Sequence, residues 1–341
     1  MSFKRLDPED ITLSAESVVA PAWTGQETVL TAFYTSSNQV SSDSGKYYFD
    51  VYQTASDATG AEVQFSLSYG NRLGSGSDPY NASQTTVGKS PSAVIYGQYR
   101  TLVNGDENTD FNFGAPTTPD SIYIISVNRS RYKERLLPGS FNLTLTSGSH
   151  TLHLTDNSLS TSTVSFVDSG RVYDIVSGSN GQPYDPKSKG LHPASGSYGK
   201  FLPDVGVILL NGAALEDTST YGLGLTGSLS TSTVQNKVNL TDFYNSIKAG
   251  SNFSLQSEET ITSNYVFVRV RNSEFNYSTN PSNISSSGEL LWNVMVNSPQ
   301  AYMTTVGLYN DNNDLLAVAK LSKPLLKDFT KEALLRIKLD Y

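Results

Sequence analysis

The residues that could do chemistry in this chain are few and scattered. Its three histidines are His150, His153 and His192, and it has no cysteine. His150 and His153 are an odd number of residues apart, so on one strand they point to opposite faces. His192 lies in a remote loop rich in glycine and proline. The sequence therefore predicts no metal site and no cofactor.

Acid–base and nucleophilic catalysis find equally little support. Hydrolysis of a glycoside needs two carboxyl groups across the scissile bond, and Glu258 and Glu259 form the only adjacent glutamate pair. Neighbouring residues on a strand point away from each other, so this pair is interpreted as a solvated strand entry. No Gly-x-Ser-x-Gly elbow has a matching downstream histidine. We therefore expect no catalytic residues, and a chain that is not an enzyme.

Two glycine- and asparagine-rich motifs resemble ligand loops but lack their context. Residues 222–227 have the spacing of a dinucleotide-binding loop, yet the Ser/Thr-rich residues that follow make a poor helix. Residues 311–314 resemble the start of a calcium loop but lack its glycine at position six and its glutamate at position twelve. The first motif is predicted to be a plain loop and the second a hairpin tip.

Charge argues against nucleic acid as a partner. The 341 residues carry 24 basic and 32 acidic groups, a formal net charge of −8, whereas nucleic-acid binding usually needs a basic surplus. The one basic concentration is interpreted as a solvated or interface face rather than a phosphate site; it consists of Arg129, Arg131, Lys133 and Arg135. The N-terminus lacks an apolar signal region, which predicts synthesis in a cytoplasm without membrane insertion.

The elements that would position these residues are mostly strands. Alternating runs rich in Val, Thr and Tyr predict an all-β, β-dominated fold with two or three sandwich-like domains and a few short helices. The predicted segments are an N-terminal arm (1–25), a β-rich domain with one helix near 91–104 (26–180), a connecting region with a buried strand and a short helix (181–255), and a C-terminal β domain (256–341).

Some elements have sharp boundaries. Val29–Tyr34 is predicted as one strand, and residues 122–127, apolar on both faces, as a central strand. Ser90 is the expected N-cap of the helix, with Pro91 in its first turn and Gly105 after its end. Near the C-terminus, a hairpin precedes a final strand in which Leu335, Ile337 and Leu339 share one face.

Four phrases carry a family resemblance; they are residues 134–141 (ERLLPGSF), 196–203 (GSYGKFLP), 271–281 (RNSEFNYSTNP) and 305–321 (TVGLYNDNNDLLAVAKL). Together they resemble virion structural proteins of tailed bacteriophages, notably the contractile-tailed phages of marine cyanobacteria. Residues 306–321 are also similar in pattern to attachment domains of phage tail and baseplate fibre proteins. The resemblance spans most of the chain and is densest after Leu255. It brings no catalytic residues with it.

The resemblance implies a non-enzymatic structural subunit of a virion, assembled in the host cytoplasm, in the tail or baseplate or at a fibre-attachment position. Other virion proteins and further copies of the chain would be its partners. The residues expected at interfaces are Phe3, Trp23, Arg269, Arg271, Glu274 and Tyr309. Phe3 and Trp23 would anchor the arm, either on its own body or on a neighbouring subunit.

Two other functions stay open from the residues. A carbohydrate-binding adhesin would recognise a host-surface glycan through the long loop Gly70–Lys89 and tyrosines such as Tyr80. A tail-borne polysaccharide-degrading enzyme would need an acid–base pair that the sequence does not single out.

Ending the chain after Lys327 tests whether the C-terminus is part of the core. The truncation removes the strand with Leu335, Ile337 and Leu339, exposes a sheet edge, and should make the protein aggregate. Light scattering and the soluble fraction after expression measure this outcome. A soluble, well-folded truncated chain would show that the terminus is dispensable.

Overall fold

The computed structural model describes residues 3–35, 48–77, 90–116, 118–225 and 238–340. The helices are α1 (Pro91–Asn104), α2 (Gly212–Leu215), α3 (Asn239–Gly250) and α4 (Asn293–Asn297). The strands are β1 (Ile11–Pro21), β2 (Val29–Leu30), β3 (Tyr34–Thr35), β4 (Tyr48–Tyr52), β5 (Val63–Asn71), β6 (Ser121–Val127), β7 (Arg135–Leu136), β8 (Asn142–Ser147), β9 (His150–Asp156), β10 (Ser165–Val167), β11 (Gly170–Ser179), β12 (Gln182–Pro183), β13 (Gly199–Leu202), β14 (Val207–Asn211), β15 (Phe253–Ser254), β16 (Gln256–Val270), β17 (Gln300–Tyr309), β18 (Leu315–Asp328) and β19 (Ala333–Asp340). Strands dominate, so the all-β prediction is confirmed.

The chain divides into two compact units. Unit 1 consists of Met1–Ser17 with Thr260–Tyr341, and unit 2 of Val18–Glu259. The boundary falls inside β1 and inside β16. The segments 26–180 and 181–255, which the sequence analysis separates, both lie in unit 2, and the start of the predicted arm belongs to the same unit as the C-terminal strands.

Unit 2 is built on one large antiparallel sheet with the strand order β2-β15-β8-β9-β11-β13-β14-β6-β5-β4-β3. Its end strands, β2 and β3, are neighbours in the chain and are separated by residues 31–33 alone. Because each residue spans at most about 3.6 Å, the two ends of the sheet lie close together, and the sheet is curled. The prediction of one strand over Val29–Tyr34 is wrong, since this segment crosses from one end of the sheet to the other.

The central strand β6 has apolar side chains on both faces, as predicted. Ile122 and Ile124 join one buried cluster, which α1 covers with Tyr96. Tyr123 and Ile125 join the larger cluster inside the curled sheet, where the ring of Tyr123 lies 4.9 Å from that of Phe243 on α3. A strand covered on both faces needs no polar side and reads as a continuous apolar run.

Helix α1 has the predicted bounds. Pro91 begins it, and Gly105 ends it with a φ of 66°, a left-handed conformation that glycine adopts without strain. The predicted side-chain cap is not formed, because the hydroxyl of Ser90 instead donates a 2.7 Å hydrogen bond to the carbonyl of Gly74. None of the helices in the described ranges is long and apolar enough to cross a membrane.

In unit 1, β16 pairs with the final strand β19 in an antiparallel register that sets Val266 opposite Ile337 and Val268 opposite Leu335. Val266, Val270 and Ile337 are buried. The predicted alternation is confirmed, because residues directly opposite each other share a face of the sheet.

A buried carboxyl group lies at the end of α2 in unit 2. Glu216 accepts a 2.7 Å hydrogen bond from the hydroxyl of Ser121. Burial, only partly offset by this bond, raises the pKa of Glu216 from its ordinary 4.5 to about 7. The folded chain therefore holds a proton there at pH values at which the unfolded chain has released it.

Glu216 should make unit 2 lose stability as the pH rises. Its contribution is complete below pH 4.5, falls between pH 4.5 and 7, and amounts to about 3 kcal/mol of unfolding free energy in total. Glu216→Gln keeps an acceptor for Ser121 without a titrating proton. Urea denaturation at pH 4.5 and pH 7.5 should show a smaller loss in this variant than in the wild type. Equal losses in both proteins would contradict the assignment.

Candidate interaction surface

Unit 1 carries a long two-stranded ribbon formed by β17 and β18. Within the described chain, these strands pair with each other and with no third strand. The ribbon turns at residues 310–314, where the side chain of Asn310 accepts hydrogen bonds from the backbone N–H groups of Asn312 and Asp314. The hairpin predicted there is confirmed, and the motif that resembles a calcium loop forms its turn.

One face of the ribbon is open to solvent, and the other is half-buried. Tyr302 is 67% exposed, Leu316 69% and Val318 58%, and Lys327 is the one ribbon residue that is fully buried. Isolated two-stranded ribbons are marginally stable at best in water. The ribbon therefore leaves apolar side chains in water without a third described strand to pack against.

The chain around the ribbon is nearly free of charge. Residues 290–310 contain no Asp, Glu, Lys, Arg or His. This segment includes α4, whose Val294 and Val296 are 81% and 55% exposed. Large exposed apolar patches mark interaction sites, and depletion of charge is typical of the centre of a protein interface. We call the surface formed by α4, β17 and β18 the apolar ribbon surface.

Phe3 meets this surface near the turn of the ribbon. The ring of Phe3 packs edge-on against Tyr309 with centroids 5.2 Å apart. Lys4 forms a 3.0 Å ion pair with Glu274 and donates to the carbonyl oxygen of Arg269. These contacts join the first residues of the chain to residues in the second segment of unit 1. No local sequence pattern links the two.

Five of the six predicted interface residues are in this neighbourhood. The backbone N–H of Arg271 donates a 2.9 Å hydrogen bond to Glu274, and this bond together with Lys4 lowers the pKa of the Glu274 carboxyl. The side chains of Arg269 and Arg271 are exposed. The structure thus places Phe3, Arg269, Arg271, Glu274 and Tyr309 in one unit.

Trp23, the sixth residue, lies in the core of unit 2. It is 2% exposed, its indole N–H donates a 2.8 Å hydrogen bond to the carbonyl of Phe253, and its ring contacts Phe65. The sequence left open whether Trp23 anchors the arm on its own body or on a neighbouring subunit. The structure places this side chain in the core of its own body.

Lys327 forms a polar contact that the sequence analysis missed. Its buried ammonium group donates to the carbonyl oxygens of Asn272 (3.0 Å) and Asp328 (2.9 Å), and to Oδ1 of Asn276 (2.6 Å). A charge is tolerated in the interior only when hydrogen bonds replace its water. These bonds connect the end of the ribbon that lies away from its turn to the segment that follows β16.

The basic cluster of unit 2 is engaged by its own chain. Arg131 pairs with Glu62 at 2.7 Å. Lys133 pairs with Glu259 at 2.7 Å, and the guanidinium of Arg135 pairs with Glu258 at 2.8 Å. The adjacent glutamates therefore bind two different cations. This arrangement suits neither phosphate recognition nor a catalytic carboxyl pair.

His192 is likewise bonded to groups of its own unit. His192 is buried, its Nδ1 accepts from the backbone N–H of Ser195 (3.0 Å), and its Nε2 lies 2.9 Å from a carboxylate oxygen of Asp217. Bonds to Ser219 and His192 lower the pKa of the Asp217 carboxyl. Among the described residues, no group of three His, Asp or Glu side chains could hold a metal ion.

One cavity in unit 2 is small and polar. A cavity of about 70 Å³ is lined by Asn157, Thr161, Thr163, Ser165, Val172, Tyr173, Asp174 and Lys200. Ligand pockets usually enclose several hundred cubic ångströms and are mostly apolar. Residues 78–89, with Tyr80, and Gly227 lie outside the described ranges, so the predicted glycan-binding loop stays a prediction.

The chain matches no protein-family model, no curated protein and no solved structure. The class of the protein is therefore described from its own fold and surface. It is an all-β protein with a closely packed unit 2 and, in unit 1, a ribbon that lacks cover.

The hydrogen bonds of Lys327 should support the fold of unit 1. Lys327→Met removes the donor from the buried side-chain oxygen of Asn276 and from two part-buried carbonyl oxygens, which should lower the free energy of unfolding by about 2 kcal/mol. Urea denaturation followed by circular dichroism measures this loss. Lys320→Met removes an exposed lysine from the same strand and should leave the free energy of unfolding unchanged. An unchanged Lys327→Met variant would contradict the role of these bonds.

Proposed function

We propose that the protein is a non-enzymatic structural subunit that acts by docking onto neighbouring subunits. The observation that carries this proposal is the apolar ribbon surface, which has no charged residue over residues 290–310 and has one face open to solvent. A protein that worked alone in water would gain nothing from such a surface and would risk aggregation. In an assembly, the same surface supplies the burial that the ribbon lacks.

The rest of the described chain is consistent with a structural role. Three of the four residues of the basic cluster pair with Glu62, Glu258 and Glu259. The carboxyl group with a pKa near neutrality, that of Glu216, is buried against Ser121. A perturbed pKa marks a catalytic site only when the group also faces a cleft, and Glu216 is absent from the lining of the small polar cavity.

The assembly that we propose is the virion of a tailed bacteriophage. The four sequence phrases that resemble phage virion proteins support it, and one of them, residues 305–321, forms much of the ribbon. A position in the tail or baseplate, or at a fibre attachment, would surround the ribbon with other virion proteins and further copies of the chain. Assembly would take place in the host cytoplasm.

Quantitative mass spectrometry of particles tests this proposal. Particles of the phage that encodes the chain are purified by density gradient, and the chain should co-purify with them at a constant ratio to the tail proteins. Immunogold labelling should then place it on the tail or baseplate.

A matched fraction of soluble lysate proteins from the same gradient provides the control. A chain that stays with these proteins and is absent from the particles would overturn the virion assignment. Hydrolysis of host polysaccharide by the purified protein would overturn the non-enzymatic role.

A further inference from the structure

The amino group of Lys327 is held against the side chain of Asn276 in the interior of unit 1. Lys327 is 0% exposed and Asn276 is 2% exposed. Nζ of Lys327 lies 2.6 Å from Oδ1 of Asn276. Because a C=O bond is about 1.23 Å long, Nζ is at most about 3.8 Å from Cγ of Asn276, the carbon of the side-chain amide. A nucleophile held about 3–3.5 Å from a carbonyl carbon is in position to attack it.

One backbone carbonyl binds both nitrogen atoms of this pair. The carbonyl oxygen of Asn272 accepts a 3.0 Å hydrogen bond from Nζ of Lys327 and a 2.7 Å hydrogen bond from Nδ2 of Asn276. The backbone carbonyl of Asp328 accepts from Nζ at 2.9 Å. Two backbone carbonyls can therefore hold the two N–H protons of a neutral lysine amine. Its lone pair is then left for the amide carbon of Asn276.

We propose that Lys327 and Asn276 form an intramolecular isopeptide bond. The bond between Nζ and Cγ forms, the bond between Cγ and Nδ2 breaks, and the amide nitrogen leaves as ammonia. The nucleophile is the neutral amine, so the ammonium group first releases a proton, and the departing ammonia carries one away as an ammonium ion. Nothing is oxidised or reduced, and the positive charge of the lysine leaves the interior, where charge is costly.

The carboxylate of Asp328 supplies the base for this proton transfer. Asp328 follows Lys327 directly and binds Nζ through its own backbone carbonyl. Hydrogen bonds from Thr330, together with the charges of Lys331 and Lys327, lower the pKa of the Asp328 carboxyl, so it is ionised at neutral pH. A carboxylate that takes a proton from the amine and returns it to the leaving ammonia acts as a general base and then as a general acid.

The isopeptide bond closes a covalent ring that contains the apolar ribbon surface. Lys327 follows Asn276 by 51 residues, and α4, β17 and nearly all of β18 lie between them. Cross-links stabilise a fold chiefly by restricting the unfolded chain, and this chain has no cysteine with which to form a disulfide. The ring thus secures a two-stranded ribbon that would be marginally stable alone. Its loss adds to the effect that the hydrogen bonds by themselves give for Lys327→Met.

Mass spectrometry of the purified full chain tests the bond. The intact wild-type protein should be lighter than its sequence mass by one ammonia molecule. A protease digest should contain a branched peptide in which Lys327 is joined to Asn276, identified by fragmentation. The branched peptide is required because an asparagine can also lose ammonia by cyclising on its own backbone. A wild-type chain with its full sequence mass, or an ammonia loss located at another residue, would overturn the proposal.

Two arginine variants provide a matched comparison. Lys327→Arg keeps a positive charge and several N–H donors but has no amine that can form the amide, so it should have its full sequence mass. Lys320→Arg makes the same change at an exposed position of the same strand and should still lose one ammonia. Loss of ammonia in both variants, or in neither, would contradict the assignment to Lys327.

The role of Asp328 is measured by the rate of the reaction. Asp328→Asn keeps an oxygen acceptor for Thr330 and removes the base. In a time course of cell-free synthesis, this variant should form the branched peptide about 100-fold more slowly than the wild type. An unchanged rate would remove Asp328 from the mechanism.

These measurements are independent of the virion assignment. A chain that carries the isopeptide bond but is absent from purified particles would keep the bond and lose the virion role. A chain that is present in particles at its full sequence mass would keep the virion role and lose the bond.

Discussion

The packing of aromatic rings between the two ends of the unit 2 sheet is the interaction on which this unit depends. Phe65 on β5 and Phe253 on β15 are far apart in the strand order, yet their ring centroids lie 5.2 Å apart. Trp23 contacts both rings and bonds through its indole N–H to the carbonyl of Phe253. An open sheet of this size would leave one face wet and two edges unpaired. Curling buries one face on itself and leaves short end strands.

Three buried or partly buried polar groups make hydrogen bonds within their own unit. The carboxyl of Glu216 binds Ser121, the imidazole of His192 lies between backbone N–H groups and Asp217, and the ammonium of Lys327 is surrounded by oxygen atoms. Each group meets the requirement that a buried polar atom be hydrogen-bonded. Their shared feature is that they hold loops and strand ends in place, which is where an all-β chain has few backbone bonds of its own.

The ribbon in unit 1 differs from unit 2 in the exposure of its apolar side chains. Unit 2 hides its apolar side chains, whereas residues 290–319 leave many of them in water. The difference lies in strand number, because two strands have no third strand or helix to pack against. Contact with other chains, as in the proposed assembly, would supply the cover that the described chain does not give the ribbon.

Local patterns were enough to predict much of the secondary structure. Period-two alternation identified β19, the hairpin signal placed β17 and β18, and the Pro91 and Gly105 signals bounded α1. The same patterns predicted a single strand over Val29–Tyr34, which is two strands at opposite ends of the sheet. A local sequence pattern shows which side chains alternate. It does not show where the chain crosses from one end of a curled sheet to the other.

What the sequence by itself determined is the all-β character, the apolar central strand β6, the turn at residues 310–314 and the lack of charge around the ribbon. These follow from composition and periodicity, which act over a few residues. Only the tertiary structure decided that Phe3 meets Tyr309, that Lys327 is buried, and that β17 has an open edge. The physical reason is distance along the chain. These contacts join residues separated by tens to hundreds of positions, and chain topology selects them.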